Sequence, residues 1–145
     1  MNPETVFTIC NYGVLPFWLL LAIAPGWPGT QRLVHAVWLP LLLGAVYIWA
    51  LVANPAEGGS FGSLTGVMEL FRSPHAVLAG WVHYLAFDLF IGAWEVRDAR
   101  RRQIPPLMLL PCLIFTLMLG PIGLLLYLSL RFVRTRSTGL EEATV

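Results

Sequence analysis

The sequence predicts an all-α integral membrane protein, a bundle of four transmembrane helices with a short interfacial helix between the second and the third. Hydrophobic residues make up 57% of its 145 residues and charged residues only 12%, about half the share in ordinary soluble domains. The charges collect at residues 95–102 and 131–142, with long uncharged stretches elsewhere. Four stretches approach or exceed the roughly 20 residues that a helix needs to cross a bilayer. The whole chain, residues 1–145, is therefore expected to form one membrane domain.

The four stretches are expected to be helices, because backbone N–H and C=O groups inside a bilayer must be satisfied within their own segment. The connectors at residues 26–31 and 97–106 are short, so consecutive helices are expected to be antiparallel neighbours. After the last helix, residues 131–145 are expected to form a polar tail. The predicted spans cover about residues 6–24, 33–53, 76–94 and 107–130.

The longest connector, residues 54–74, carries a helical pattern in its second half. Four apolar residues recur there at positions i, i+3, i+4 and i+7, which is the spacing of one face of a helix. Ser63 suits the N-cap of this helix, and Pro74 disfavours helical backbone at the residue before it. The pattern predicts a short amphipathic helix lying in the membrane interface. The four apolar residues are Leu64, Val67, Met68 and Phe71.

A few polar side chains lie inside the predicted spans, and their depths predict a site. At the helical rise per residue, Asn11, Tyr47 and His83 all lie roughly 7–10 Å below the bilayer face that holds the N-terminus. Asp88 lies further along the third helix, near the midplane. Three polar groups from three helices thus share one layer beneath the predicted interfacial helix. His83 and Asp88 point about 140° apart around their helix, so the sequence alone does not bring them together.

Asp88 is the residue that is most costly to place in a membrane. An aspartate at the bilayer centre costs roughly 2.5–3.5 kcal/mol, and ionisable groups at such depth are functional by default. Burial favours the neutral, protonated form of a carboxyl group, which suits a proton donor. The structural alternative is that Asp88 hydrogen-bonds a neighbouring helix and that His83 hydrogen-bonds a backbone carbonyl. No Glu-x-x-His pair of the di-iron bundle type occurs, and no metal is expected.

The remaining charges bear on orientation and on partners. Glu69 and Glu95 lie near helix ends and are expected to reach water or arginines. With four spans, Arg32 and the arginines of 97–102 face one side of the membrane, and Arg72 and the arginines of 131–136 face the other. Five arginines against four favour a cytoplasmic RDARRR loop, in a bacterial inner membrane. The net charge of +1 argues against nucleic acid as a partner.

The third span contains the motif Trp81-x-His83-x-Leu85-Ala86-x-Asp88-Leu89-Phe90. This motif resembles the signature of the abscisic-acid-deficient-four-like family of membrane proteins, whose plant members are required for making neoxanthin, a carotenoid. The resemblance extends to Val14-Leu15-Pro16-Phe17, to Tyr47, to Asp98 and to Pro121-x-Gly123. It implies that His83 and Asp88 form the core of a site. Glu69 and Tyr84 depart from the plant pattern. The resemblance therefore does not imply that this chain acts on the substrate of the plant proteins.

Two hypotheses of function follow from different classes of protein. The first is a small membrane enzyme that acts on a carotenoid or another isoprenoid lipid. The resemblance implies an isomerisation, in which Asp88 donates a proton and His83 removes one, and which needs no external cofactor. The second is a non-catalytic accessory or pigment-binding subunit of a larger membrane complex; a homo-oligomer is also left open. The predicted substrate-binding residues are Asn11, Tyr47, Trp81 and Tyr84.

Overall fold

A computed structural model describes residues 1–36, 38–53, 55, 58–136 and 139 of the chain. Within these ranges the chain is all-α, as the sequence predicts, with eight helices and no strand. Three helical stretches are long and apolar enough to cross a membrane, namely Pro3–Ile23, Pro28–Ala53 and Pro74–Arg101. The helices are α1 (Pro3–Gly13), α2 (Leu15–Ile23), α3 (Pro28–Leu33), α4 (Trp38–Ala53), α5 (Leu64–Leu70), α6 (Pro74–Arg101), α7 (Pro106–Leu119) and α8 (Pro121–Thr135).

Proline and polar caps set where many of these helices begin. Helices α1, α3, α7 and α8 carry a proline in the first turn, where its missing N–H would have no helical acceptor anyway. The side chain of Asn2 accepts a hydrogen bond from the Glu4 backbone N–H at the start of α1 (3.0 Å). Helix α6 runs for 28 residues and ends with Arg100 and Arg101 in its last turn. It therefore extends well beyond the predicted span 76–94.

The chain divides into two compact units. The first unit consists of Met1–Leu15 and Val37–Phe87, and the second of Pro16–Ala36 and Asp88–Val145. The first unit contains α1, α4, α5 and the beginning of α6. The second contains α2, α3, the end of α6, and α7 and α8. Most of the predicted polar tail, residues 137–138 and 140–145, lies outside the described residues.

Helix α5 in the first unit lies where the apolar pattern of the connector predicts a helix. The hydroxyl of Ser63 accepts a hydrogen bond from the Gly66 backbone N–H (3.1 Å), which is the predicted N-cap. The preceding loop folds back on the helix, since the Ser60 N–H donates to the Gly66 carbonyl (3.2 Å). A Cβ at position 66 would lie 2.4 Å from the Ser60 hydroxyl, so the loop requires glycine there. Leu64 and Met68 are exposed.

The predicted fourth span, residues 107–130, is not one helix. It is interrupted at Gly120, whose backbone has φ +32° and ψ −86°, and Pro121 begins a new helix. Helices α7 and α8 pack against each other. A Cβ at Gly123 would lie 2.0 Å from the Thr116 backbone nitrogen, whereas residues seven apart in a continuous helix are roughly 10 Å apart. The two helices therefore form a tight hairpin.

The contacts of this hairpin with α6 give its direction. Thr116 of α7 hydrogen-bonds Glu95, Gly120 approaches Asp88, and Tyr127 of α8 hydrogen-bonds Asp98. Along the chain the hairpin therefore runs back from the C-terminal end of α6 towards its middle, turns there, and returns. Both ends of the hairpin lie beside the C-terminal end of α6.

The prediction of a single helix over residues 107–130 rested on the length of the apolar stretch. The structure differs because two effects combine at Gly120-Pro121. Proline has no N–H to donate and its ring crowds the preceding turn, while glycine adopts the positive φ that other residues avoid. Close packing at Gly123 then holds the two helices together.

Candidate functional site

A cavity of about 320 Å³ lies in the first unit, between α4, α5 with its flanking residues, and α6. Most of its wall is apolar, and aromatic rings from the connector cover one side. Two polar side chains contribute to the wall, one from α4 and one from α6. The described residues that line the cavity are Tyr47, Ala50, Leu51, Phe61, Leu70, Phe71, Ala76, Ala79, Gly80 and His83.

The polar residues of the cavity are Tyr47 and His83, and their rings face each other with centroids 6.0 Å apart. The His83 ring also stacks on Phe87, with centroids 4.4 Å apart and planes inclined by 28°. Phe87 lies one helical turn beyond His83 on α6, which fixes this pairing. The His83 side chain remains exposed, so a molecule in the cavity can reach the imidazole. A phenol and an imidazole in an apolar wall can orient one polar group of a ligand.

Small residues of α6 create the space in this cavity. Gly80 faces the ring of Phe71, and a Cβ at Gly80 would lie 3.0 Å from that ring. Ala76 and Ala79 provide the neighbouring wall. Larger side chains at these positions would fill the cavity or displace Phe71.

Asn11, Trp81 and Tyr84 form a second group in the same unit. The Trp81 indole N–H donates to Asn11 Oδ1 (3.1 Å). The Trp81 ring contacts Phe7 and Tyr84 at centroid distances of 5.4 and 5.3 Å. Position 81 lies about 200° from position 83 around α6, and none of Asn11, Trp81 and Tyr84 is among the described residues of the cavity wall. Of the predicted substrate-binding residues, only Tyr47 shares the cavity with His83.

Asp88 lies in the second unit, at the turn of the hairpin. A Cβ at Gly120 would lie 2.7 Å from Asp88 Oδ1, so the carboxylate packs directly on the Gly120 backbone. The Asp88 side chain is half-buried. His83 belongs to the other unit, and a joint role of His83 and Asp88 stays a prediction.

The second unit contains a buried carboxylate that the sequence analysis placed wrongly. Glu95 was expected to reach water or arginines at a helix end, but it is completely buried. The Thr116 hydroxyl lies within hydrogen-bonding distance of both its carboxylate oxygens, 3.0 Å from Oε1 and 3.2 Å from Oε2. Glu95 is buried because α6 continues to Arg101 and the hairpin covers this part of it.

One turn further along, Asp98 is the centre of a buried ionic cluster. The Arg102 Nε–H reaches both carboxylate oxygens, at 2.9 and 3.0 Å. The Tyr127 hydroxyl donates to Oδ2 at 2.6 Å, and Arg131 Nε lies 2.9 Å from the same oxygen. The Arg131 approach forms an ion pair, although its angle is not that of a hydrogen bond. Trp94 packs edge-on against Tyr127. Asp98 thus links α8, the second helix of the hairpin, to the end of α6.

A sequence signal for this cluster existed. Asp88, Glu95, Asp98 and Arg102 follow one another at seven, three and four residues, which places them on one stripe of α6. A stripe of acidic residues inside an apolar helix predicts a covering partner with donors, and α7 and α8 supply Thr116, Tyr127 and Arg131. Within the described part of the chain, no group of three or more His, Cys, Asp or Glu side chains could hold a metal ion.

Comparison with known proteins assigns the family. Residues 5–127 match the model of the family described as ABA DEFICIENT 4-like. The chain belongs to the ABA DEFICIENT 4-like family. The resemblance noted in the sequence is therefore confirmed, and the matched range includes the cavity, Asp88, Glu95 and Asp98.

A curated relative of this ABA DEFICIENT 4-like chain is "Protein ABA DEFICIENT 4, chloroplastic" of Arabidopsis thaliana. The two proteins are 26% identical over 110 residues, which cover 70% of this chain and 50% of the relative. The chain therefore spans about half the length of that relative. No solved structure matches the chain.

Proposed function

We propose that this chain is an integral membrane protein that binds a carotenoid-like or other isoprenoid lipid, with one end of the ligand in the cavity of the first unit. The observation that carries the proposal is the apolar cavity with Tyr47 and His83 as its polar wall groups. Membership of a family whose plant members are required for making neoxanthin supports the choice of ligand class.

The size of the cavity supports a partial occupant. Its volume of about 320 Å³ is at the small end of ligand pockets, which run from roughly 300 to 1,000 Å³. Such a space suits one ring or one terminal segment of a long polyene. The remainder of the ligand would continue past the exposed Phe87 into the lipid phase, because Phe87 stacks on His83, which lines the cavity.

The proposed membrane arrangement has three spans and one hairpin. The stretches Pro3–Ile23, Pro28–Ala53 and Pro74–Arg101 cross the bilayer. The hairpin of α7 and α8 enters from the face where α6 ends, turns at Gly120 and returns to that face. Helix α5 lies in the interface at the opposite face, where its exposed Leu64 and Met68 meet lipid. This arrangement replaces the four predicted spans.

The proposed reaction is an isomerisation of the bound lipid. One group removes a proton from the ligand and another returns one elsewhere, so the molecular formula does not change and no oxidant or reductant is consumed. His83 is assigned the removal of the proton, because its imidazole lines the cavity. Asp88 is assigned the donation of the proton, because a carboxyl group is costly to place inside a membrane and such groups are functional by default. Tyr47 orients a polar group of the ligand.

The alternative is a pigment-binding subunit that performs no chemistry. It rests on the same cavity and on the exposed apolar side chains of α6, which suit contacts with lipid or with other membrane proteins. The two functions differ in the fate of the ligand: an enzyme releases an isomer, whereas a binding subunit returns the ligand unchanged.

The test is extraction of the purified full chain with organic solvent, followed by mass spectrometry of any bound polyene. Ala76→Leu, which projects into the cavity, should remove most of the bound ligand. Ala45→Leu makes the same change on the exposed side of α4, outside the described wall of the cavity, and should retain it. Equal ligand content in the two variants would refute the cavity as the binding site.

A further inference from the structure

A second, open groove of about 670 Å³ lies in the second unit, at the C-terminal end of α6. Three arginines of the last turns of α6 line it, together with Gln103 and the apolar residues 104–106. None of the described lining residues is acidic. The groove lies where the apolar helix reaches its charged end, which is the level of lipid headgroups for a helix that spans a bilayer.

Two of the arginines in the groove are positioned by neutral partners. The Arg100 Nη1–H donates to the Pro25 carbonyl (2.9 Å), and Arg97 Nη1 lies 2.9 Å from His35 Nδ1. A carbonyl oxygen does not neutralise the positive charge of the Arg100 guanidinium. The nearby Asp98 carboxylate is directed to Arg102 and Arg131 in the buried cluster. The groove therefore presents three guanidinium groups, and contacts within the unit hold two of them in place.

The other side of the groove is apolar. Ile104, Pro105 and Pro106 form it, and Leu107, which follows, is 81% exposed. A ligand that contacts both sides of the groove has an anionic headgroup that binds the guanidinium groups and a hydrocarbon part that packs on the apolar side. Guanidinium groups bind phosphate with paired, charge-assisted hydrogen bonds.

We propose that this groove binds the phosphate headgroup of an anionic membrane lipid, with an acyl chain lying along Leu107. This inference does not depend on the function proposed for the first unit. A free phosphate would contact the arginines alone, in a groove open to water where exposed charges are screened. A lipid gains the apolar contact as well and is held at the surface by the membrane. Basic pockets at the ends of transmembrane helices bind anionic lipid headgroups in this way.

The test measures lipid binding to the full chain in detergent by native mass spectrometry. The probes are phosphatidylglycerol, phosphatidylcholine with the same acyl chains, and soluble glycerol phosphate. Three variants each lower the net charge by one. Gln103→Glu places a negative charge in the groove without removing an arginine, and Arg100→Gln removes one. Arg134→Gln is the matched control, because Arg134 is exposed on α8 and does not line the groove.

We expect phosphatidylglycerol to bind in preference to phosphatidylcholine. Gln103→Glu and Arg100→Gln should each weaken that binding about fivefold, the effect of one charge at an anionic headgroup, whereas Arg134→Gln should change it less than about twofold. Equal binding of the two lipids would overturn the proposal. Equal weakening by Arg134→Gln would also overturn it, since net charge and not the groove would then decide binding. Binding of glycerol phosphate as tight as that of phosphatidylglycerol would show a free-phosphate site instead of a lipid site.

Discussion

Asp98 is the side chain whose loss should destabilise this protein most. Its carboxylate is buried with Arg102, Arg131 and the Tyr127 hydroxyl around it. Asp98→Asn removes the carboxylate that Arg102 and Arg131 both pair with, and breaking a buried ion pair costs about 3–5 kcal/mol. Tyr127→Phe removes one hydrogen bond to a charged group and should cost about 1.5–3 kcal/mol. Unfolding of the purified variants in detergent measures both.

The matched control for Asp98 is the ion pair of Arg72 with Glu69. Its atoms are 3.1 Å apart, but the Arg72 side chain is 77% exposed. Pairs of this kind contribute about 0–1 kcal/mol, so Glu69→Gln should hardly change stability. A loss with Glu69→Gln equal to that with Asp98→Asn would contradict the assignment of Asp98 as the centre of a buried cluster.

Substitution of Asp88 distinguishes a catalytic role of this side chain from a purely structural one. Asp88→Asn keeps the shape of the side chain against Gly120 and is expected to fold. If Asp88 donates a proton, the amide should lower turnover by about 100-fold or more, the usual contribution of a general acid. Product analysis of the variant incubated with carotenoid measures this. An Asp88→Asn protein that folds and turns over at the wild-type rate would exclude Asp88 as the donor.

The sequence located part of the candidate site because depth along a helix follows directly from the helical rise. Tyr47 and His83 were expected in one layer and do contact each other. Direction around the helix is as important as depth, and Asn11 pairs with Trp81 on a different side of α6. Glu95 was misplaced because its partner Thr116 lies 21 residues further along the chain. The acidic stripe of α6 indicates that a covering partner exists, but it does not specify which segment supplies it.

At the level of elements, local signals predicted α5 and failed for the hairpin. A cap at Ser63 and an apolar stripe specify a short helix without help from distant residues. The hydropathy of residues 107–130 shows only that the segment is apolar. An apolar segment of this length can form either one transmembrane helix or a hairpin of two helices. The choice depends on Gly120-Pro121 and on the close approach of Gly123 to Thr116.

Alanine substitution is expected to have opposite effects on stability at Gly123 in the hairpin and at Gly44 in α4. Gly123→Ala places a Cβ 2.0 Å from the Thr116 backbone nitrogen, which no rotamer relieves. It should destabilise the protein by at least about 1–3 kcal/mol, the usual cost of overpacking. At Gly44 in α4 a Cβ meets nothing within 4 Å, so Gly44→Ala should stabilise by about 0.5–1 kcal/mol through helix propensity. Thermal unfolding of the two variants measures the difference, and a neutral Gly123→Ala would be inconsistent with a closely packed hairpin.

At the scale of the whole molecule, the proposed arrangement of three spans and one hairpin distributes the arginines differently between the two membrane faces. With four spans they divide five against four. With a hairpin, residues 131–136 return to the face that holds the end of α6. Arg100 also contacts Pro25 there, which places Arg32 of α3 at the same end. Eight of the nine basic residues are then on one face, and only Arg72, before the start of α6, is on the other. For the proposed arrangement, the positive-inside rule predicts that the face with the larger group of arginines is the cytoplasmic face or its equivalent.

Labelling of single cysteines tests this topology. In a chain with Cys10→Ala and Cys112→Ala, the variants Gln103→Cys, Arg134→Cys and Arg72→Cys are each treated with a membrane-impermeant maleimide in sealed vesicles. Gln103 and Arg72 flank opposite ends of α6, a single 28-residue helix, so their cysteines should react from opposite sides. Arg134 lies in the last turn of α8. In the proposed arrangement the chain turns back at Gly120 instead of crossing the bilayer, so the cysteine at position 134 should react from the same side as that at position 103. Reaction of position 134 from the side of position 72 would establish four spans and remove the basis for counting eight arginines on one face.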